Sequence, residues 1–302
     1  MKAVVPAELD GRRADLVVAR VAGVSRAAAR RIVEEGGALV DGRVPGVSDL
    51  VAAGSIMEIE VPPAEPALAP EPVSFEVRHE DEHLAVVDKP SGIVVHPGAG
   101  RRRGTLAAGL LERWPQIEGV GEPDRWGIVH RLDRETSGLL VVALDEGTRR
   151  ALQQAIAARR VHRTYLALVL GEPSAATGTI DAPLDRDPDR PGRVAVVRGG
   201  RPSRTHYTTL ASWESVSLLE VRLDTGRTHQ IRVHLAAIGL PVAGDERYGR
   251  PSGPATRLFL HACRLRFEHP VSGDEVDVSS PLPDDLQAVV EALGAPGAGS
   301  VP

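Results

Sequence analysis

A single carboxylate set among basic residues is the first feature of the sequence that could do chemistry. Asp133 follows His130 and Arg131 and precedes Arg134, and a continuous apolar run over residues 139–143 comes after it. A run of this length predicts a strand buried on both faces. A carboxylate held at the rim of a rigid sheet is well placed for catalysis. The alternative is that Asp133 only caps a turn by bonding nearby backbone groups.

Other catalytic arrangements have little support in the sequence. His229 and His234 are five residues apart, not the four that helical zinc ligands require, so we expect no metal site. The segment 98–100 lacks the rest of any phosphate-binding fingerprint. A sugar hydrolase would need a second carboxylate, and nothing pairs Glu135 with Asp133.

Composition and charge limit the partners that the chain could have. A length of 302 residues suggests about two domains. Lys+Arg 36 against Asp+Glu 41 gives a net charge of −5, so a nucleic-acid site must be a local basic patch. The single cysteine, Cys263, excludes an internal disulfide and fits a reducing compartment. Without a secretory signal or an 18-residue apolar segment, we expect a soluble, cytoplasmic protein with no membrane span.

The first 62 residues predict a small α+β unit. Helices are expected over 15–22 and 25–35, where the second helix is followed by two glycines that stop it. A hairpin with the turn Asp41-Gly42 follows, and a strand of alternating pattern covers 56–61.

Arginines on the second helix indicate what this unit could bind. Arg26, Arg30 and Arg31 are spaced to share one face, and apolar residues lie on the other. A helix–helix–hairpin unit of this kind resembles the S-four-type RNA-binding domain, whose second helix and hairpin face RNA. Asp41 stands where that family often has Asn, which the same turn tolerates. The alternative is an ordinary solvated charge face.

The remainder of the chain predicts a larger domain. A Pro/Ala-rich linker over 63–73 leads to a domain over 74–290, and residues 291–302 are expected to form a flexible tail. Many short strands with few helices between them predict an α+β fold with a mixed, mostly antiparallel sheet. A strand over 162–171 and a helix over 228–238 would carry further candidate side chains.

Five blocks of sequence follow one another in the order seen in the RluA-type RNA pseudouridine synthases. The blocks are Asp88-Lys89-Pro90-Ser91-Gly92, His130 to Gly138, Tyr165 with Gly171, Gly226 to His234, and Gly244-Asp245 with Leu260-His261-Ala262. The resemblance covers roughly residues 74–282, and together the five blocks are highly specific. One departure is Arg163, where the family usually has Lys.

The resemblance implies isomerisation of uridine to pseudouridine in RNA, with no cofactor and no metal. Asp133 matches the family's nucleophile, and Arg232 matches the partner whose guanidinium would hold that carboxylate bidentately. Arg131 matches the residue that fills the stack when the target base is extruded, with His130 beside it. Tyr165 matches the tyrosine that packs against the base, and its role in proton transfer stays open.

These assignments carry a geometric expectation. The side chains of Arg131, Asp133, Tyr165 and Arg232 should converge at one pocket large enough for an everted nucleotide. The partner implied is RNA, and by analogy large-subunit ribosomal RNA, with the protein acting as a monomer. The alternative is a non-catalytic RNA-binding or ribosome assembly factor with the same fold, against which the presence of the expected catalytic side chains argues.

Overall fold

The computed structural model describes residues 1–24, 26–61, 68–98, 103–249 and 253–302. The chain divides into two compact units, Met1–Pro66 and Ala67–Pro302. This division falls inside the predicted linker 63–73, of which 63–67 lie outside the described residues. Within the described ranges, no helix has both the length and the apolar character needed to cross a membrane.

The first unit packs two helices against short strands, as the sequence predicts. Its helices are α1 (Ala14–Ala22) and α2 (Arg26–Glu34), and its strands are β1 (Lys2–Val4), β2 (Arg12–Arg13), β3 (Ala38–Val40), β4 (Leu50–Val51) and β5 (Ile56–Ile59). β5 lies between β1 and β3 in an antiparallel sheet, and β2 pairs with β4. The predicted turn is present: Val40 bridges Arg43 around Asp41 and Gly42, whose φ angles of 49° and 78° are those of a two-residue hairpin.

The second unit is built on one large sheet. Its strands are β6 (Glu76–Glu80), β7 (Leu84–Lys89), β8 (Ser137–Ala143), β9 (His162–Leu170), β10 (Thr177–Asp181), β11 (Leu184–Arg186), β12 (Val194–Val196), β13 (Arg204–Ser212), β14 (Val216–Leu223), β15 (Leu260–Glu268), β16 (Glu275–Ser279) and β17 (Ala298–Gly299). Its helices are α3 (Leu106–Arg113), α4 (Glu146–Ala157), α5 (Gln230–Ala237) and α6 (Asp284–Leu293).

The order of strands in this sheet confirms the predicted mixed, mostly antiparallel α+β fold. The path is β10-β13-β14-β9-β15-β8-β7-β6, with β16 paired to β15 and β17 to β13, while β11 and β12 form a separate hairpin. The pairing of β15 with β8 is parallel, and the other described pairings of the sheet are antiparallel.

Strand β8 lies at the centre of the packing. All seven of its residues are buried. Leu140 and Val142 face a core that includes residues of α3 and α5, whereas Leu139 and Val141 face a second core that includes Leu152 of α4. Helices therefore cover both faces of this strand, which explains its uninterrupted apolar sequence. The predicted burial of residues 139–143 on both faces is confirmed.

The carboxyl-terminal residues differ from the predicted flexible tail over 291–302. Helix α6 extends to Leu293, and its Leu286 and Val290 are buried. Farther on, β17 pairs with β13, and Trp213 Nε1 donates a hydrogen bond to the Gly294 carbonyl at 3.0 Å. These contacts give the last residues partners in the second unit.

Candidate active site

The turn that carries Asp133 is fixed by its backbone. Leu132 is buried beside it, and the Thr136 amide donates to the Asp133 carbonyl at 3.2 Å. The turn is thus closed by the main chain, and the carboxylate of Asp133 is directed elsewhere. The alternative in which that carboxylate only caps this turn is wrong.

A second turn, formed by residues 90–93, holds the Asp133 turn from the other side. The Gly92 amide donates to the Arg134 carbonyl at 2.8 Å, and Ser91 Oγ donates to the Glu135 carbonyl at 2.7 Å. Two separate segments of the chain are therefore fastened together next to the candidate nucleophile. Such support restricts the positions that a catalytic side chain can adopt.

Lys89 completes this attachment from inside the protein. Its side chain is fully buried, and Nζ donates to the carbonyls of Pro90, Ile93 and Arg134 at 2.8, 3.0 and 3.2 Å. Three carbonyl acceptors match the three N–H groups of an ammonium. Burial opposes that charge and lowers the pKa of Lys89 to about 7.

Replacing Lys89 by Met should change how stability depends on pH. Folded Lys89 releases its proton near pH 7, whereas a lysine in the unfolded chain holds it to about pH 10.5. Between these values the unfolded state binds more protons, so this residue makes the free energy of unfolding rise with pH. We expect the wild type to gain up to about 1.4 kcal/mol per pH unit over Lys89→Met between pH 7 and 9.

Urea unfolding of both proteins from pH 6 to 9 measures this difference. Lys2→Met serves as the control, because Lys2 is exposed and its replacement should change stability equally at every pH. A stability gap between wild type and Lys89→Met that stays constant over the range would contradict the prediction.

Arg232 lies between two carboxylates. Its Nε and Nη2 donate to Asp245 at 2.7 and 2.8 Å, and its Nη1 donates to Oδ2 of Asp133 at 3.3 Å. The predicted pairing of Arg232 with Asp133 is present, but the expectation that it is bidentate is wrong. The bidentate contact is made to Asp245, and only Nη1 reaches Asp133.

Asp245 anchors this arrangement. It is buried, and its Oδ1 also accepts the amides of Arg247 and Tyr248 at 2.9 and 3.0 Å. Burial alone would raise its pKa, but the bonds and charge of Arg232 hold the pKa below its usual range. Burial likewise acts to lower the pKa of Arg232, and the two carboxylates raise it above its usual range. The guanidinium is therefore a fixed positive charge beside Asp133.

Tyr165 reaches the same place from β9. It is 5% exposed and packs in the main core of the second unit. Burial raises the pKa of its hydroxyl above the usual value of 10. A phenol that resists ionisation is suited to packing against the uracil ring of a nucleotide. It is poorly suited to accept a proton in this environment.

His229 and Tyr248 belong to the site but were missed as site residues. His229 adopts a left-handed conformation with φ of 55° immediately before α5, and its Nε2 lies 3.9 Å from Oδ2 of Asp133. Its Nδ1 shares a 2.7 Å hydrogen bond with the Tyr248 hydroxyl. Burial lowers the pKa of His229, although the charge of Asp133 opposes this. The spacing of His229 and His234 indicates only that they do not form a helical metal site, and no local pattern in the sequence indicates that His229 approaches Asp133.

The four expected side chains line one cavity. Arg131, Asp133, Tyr165 and Arg232 surround a space of about 50 Å³. Such a space holds a few water molecules, so the expectation of a pocket already large enough for a nucleotide is wrong for this structure. A cavity of about 550 Å³ adjoins it and shares Arg131 with it.

His130 and Arg131 differ in their surroundings although both were expected to contact RNA. His130 Nε2 accepts the Val141 amide at 3.1 Å, so one side of its ring supports the backbone of β8. Burial lowers the pKa of His130 to about 3, which leaves the ring uncharged. Arg131 is exposed and makes no hydrogen bond or ion pair with the residues that the structure describes.

The arginines of α2 are exposed, as expected for a surface that binds RNA. Side chains of Arg26 and Arg30 are 65% and 55% exposed, and Arg31 is also exposed. Arg26 lies 3.7 Å from Asp15, and Arg30 bonds Glu34 one turn along the helix at 2.8 Å. Part of the positive charge on this helix is therefore offset by neighbouring carboxylates.

Comparison with known proteins identifies the family. A family model described as RNA pseudouridylate synthase matches residues 83–237. A Chloroflexus aurantiacus protein named uncharacterized RNA pseudouridine synthase is 47% identical over 96% of this chain and 92% of its own. The chain belongs to the RNA pseudouridylate synthase family.

Two further relatives extend the family assignment. The ribosomal large subunit pseudouridine synthase D of Xanthomonas campestris is 41% identical to this synthase, over 97% of this chain and 92% of its own. The solved structure of human RNA Pseudouridylate Synthase Domain Containing 1 superposes with a TM-score of 0.56 at 30% identity, covering 74% of this chain and 98% of its own. The predicted enzyme class, an isomerase acting on RNA, is confirmed, and nothing in these comparisons supports a non-catalytic assembly factor.

Proposed function

We propose that this synthase converts uridine to pseudouridine in large-subunit ribosomal RNA, with Asp133 as its nucleophile. The observation that carries the proposal is the meeting of the Asp133 carboxylate and the Arg232 guanidinium beside Tyr165 in one cavity. The choice of RNA is supported by the name of the Xanthomonas relative and by its alignment along nearly the whole of this chain.

The reaction needs no external reagent. The bond from uracil N1 to the ribose C1′ breaks, C5 bonds to C1′, the proton of C5 is lost and N1 gains one. Carboxylate attack, on the base or on C1′, divides this exchange into easier steps. Arg232 and His229 both approach Oδ2 of Asp133, and within the described ranges no hydrogen bond reaches Oδ1. We assign the attack to Oδ1, while Arg232 fixes the orientation of the group.

Entry of the base requires the small cavity to widen. Arg131 is exposed at its rim and lies two residues before Asp133, so its displacement would open the space beside the nucleophile. We assign Arg131 to the gap that the everted base leaves in the RNA stack. Tyr165 would then pack against the base that has entered.

RNA carrying tritium at uracil C5 tests the role of Asp133. The wild type should release tritium to water, and Asp133→Asn should release none, because an amide of the same shape cannot act as the nucleophile. RNA binding by the variant, measured in parallel, shows that the loss is chemical. Release at the wild-type rate by Asp133→Asn would remove this residue from its role.

The source of the RNA is tested with separate substrates. Tritiated large-subunit ribosomal RNA should lose label, whereas small-subunit ribosomal RNA and transfer RNA should retain it. Loss of label from transfer RNA alone would show that transfer RNA, and not large-subunit ribosomal RNA, is the substrate.

The first unit is proposed as an S-four-like RNA-binding module. Its support is the two-helix arrangement and the exposed Arg26, Arg30 and Arg31 of α2. Replacing all three by Gln in the full chain should weaken RNA binding and reduce its dependence on salt, by about 0.7 in logarithmic slope for each phosphate that the variant no longer neutralises. Tritium release at saturating RNA should be unchanged.

Arg264→Gln provides the comparison for that experiment. Arg264 is 53% exposed and ion-paired, like Arg26 and Arg30 of α2, but belongs to the large sheet. An unchanged salt slope in the triple variant would refute the assignment of the first unit.

We also propose that the synthase acts as a monomer. The single cysteine fits a cytoplasmic location. The monomeric state and the cytoplasmic location are both part of the proposal.

A further inference from the structure

The cavity that adjoins the candidate active site has the size of a ligand-binding site. Its volume of about 550 Å³ lies within the usual range of about 300–1,000 Å³ for such sites. Arginines dominate its polar lining, which contains Arg125, Arg131, Arg149, Arg159, Arg163 and Arg227. A site this rich in guanidinium groups favours an anionic ligand.

Three of the six arginines have their charge balanced by neighbours. The partners are Glu122 for Arg125, Glu146 for Arg149 and Asp224 for Arg159. Arg131, Arg163 and Arg227 have no carboxylate within ion-pair distance in the parts of the chain that are described. These three therefore give the cavity its unbalanced positive charge.

Arg163 and Arg227 also contain buried donors that lack partners. Arg163 is 7% exposed, and its Nε makes no hydrogen bond to the described residues, nor does Nε of Arg227. Nη2 of the half-buried Arg227 donates to the Pro202 carbonyl at 3.5 Å, so it is the Nε atoms that lack an acceptor. Leaving a buried donor of a charged group unpaired is costly. Two histidines that line the same cavity do not add to its positive charge, because burial lowers the pKa of His96 to about 4 and that of His130 to about 3.

The unbalanced arginines stand where the two cavities meet. Arg131, Arg163 and Arg227 line both the large cavity and the small one that contains Asp133. Gly226 lines both as well, and a Cβ at this position would lie 2.8 Å from Nη1 of Arg163. Glycine here leaves room for the guanidinium at the junction.

We propose that the large cavity holds the nucleotide next to the target uridine, and that the phosphodiester joining the two lies against Arg163 and Arg227. The inference rests on the proposed function, which puts the everted uridine in the small cavity. Neighbouring nucleotides share one phosphate, so a phosphate joining occupants of two adjoining cavities must lie at their shared wall. A phosphate there would supply an anionic partner for both guanidinium groups.

Neutralising single phosphates in the substrate tests this contact. Two modified RNAs are prepared, one with a methylphosphonate on the 5′ side of the target uridine and one with it on the 3′ side. In each, the sugar next to the methylphosphonate is 2′-deoxy. The reference for each RNA has the same deoxy sugar and an ordinary phosphate. For one of the two linkages, wild-type binding should weaken about tenfold. Arg227→Gln should bind the reference more weakly than the wild type does, and that methylphosphonate should weaken its binding by clearly less than about tenfold, because only the Arg163 contact is left to lose.

Two other variants make the result specific. Arg163→Lys keeps the charge and should respond to the methylphosphonate as the wild type does, whereas Arg163→Gln should respond less, because only Arg227 then contacts the phosphate. Arg125→Gln removes an ion-paired arginine of the same cavity and should respond as the wild type does. Because Arg163 is buried, thermal unfolding of its variants is measured first, and the half-buried Arg227 provides the test if Arg163→Gln fails to fold.

Tritium release by the wild type distinguishes an error in the phosphate contact from an error in the proposed function. If the wild type releases tritium from unmodified RNA but the effects of Arg227→Gln and of each methylphosphonate multiply, the phosphate contact is overturned and the function stands. If the wild type releases no tritium from any uridine, the proposed function falls, and this inference falls with it.

Discussion

Asp245→Asn is expected to lower the free energy of unfolding by about 3–5 kcal/mol and to reduce tritium release at least about 100-fold. Asp245 is buried and accepts two bonds from Arg232, which is itself buried. Removing its charge leaves the guanidinium with only the single, longer contact to Asp133, and breaking a buried ion pair by removing one partner costs about 3–5 kcal/mol. Arg232 would then shift toward Asp133, and a displacement of about 1 Å in a catalytic arrangement can cost about 100-fold in rate.

Urea unfolding and single-turnover tritium release measure the two effects. Asp285→Asn is a matched control, since Asp285 accepts two bonds from Arg257 but is half-exposed. Loss of an exposed pair of this kind should change stability by about 0–1 kcal/mol and leave tritium release unchanged. Equal destabilisation by the two variants would contradict the role given to burial, and full activity of Asp245→Asn would contradict its role in positioning Arg232.

The sequence predicted the parts of the site that local patterns encode. Residues 139–143 could be recognised as a strand because burial on both faces needs a continuous apolar run, and Arg232 could be placed beside the core face of α5 by helical periodicity. The grouping of Asp133, Tyr165 and Arg232 came from the order of motifs that resemble a family. No local rule brings together residues about one hundred positions apart.

The remaining features depend on tertiary structure that no local pattern records. Gly244-Asp245 was recognised as a motif, but a short acidic turn gives no sign that its carboxylate lies behind Arg232. Lys89 is fully buried although lysine is almost always exposed, and its three carbonyl partners come from two separate turns. Strand β17 was missed because two residues carry no periodic signal.

Gly138→Ala should be among the most destabilising single-methyl changes in the second unit. Gly138 has φ of +113°, and an added Cβ would lie 2.3 Å from the Ala262 carbonyl oxygen and 2.6 Å from the Ala262 amide nitrogen. These atoms are backbone, so β8 and β15 would have to separate where they pair in parallel. The unusual φ costs about 1–3 kcal/mol and the forced displacement about 1–3 kcal/mol more.

Gly273→Ala separates the cost of the backbone conformation from the cost of the steric contact with β15. Gly273 has φ of +79° and no neighbour within 4 Å of an added Cβ, so this variant should lose only about 1–2 kcal/mol. Thermal and urea unfolding compare the two proteins, and tritium release should fall in Gly138→Ala alone, because β8 begins directly after the Asp133 turn. Equal loss of stability in both variants would contradict the claim that the close approach of β8 and β15 requires glycine at position 138.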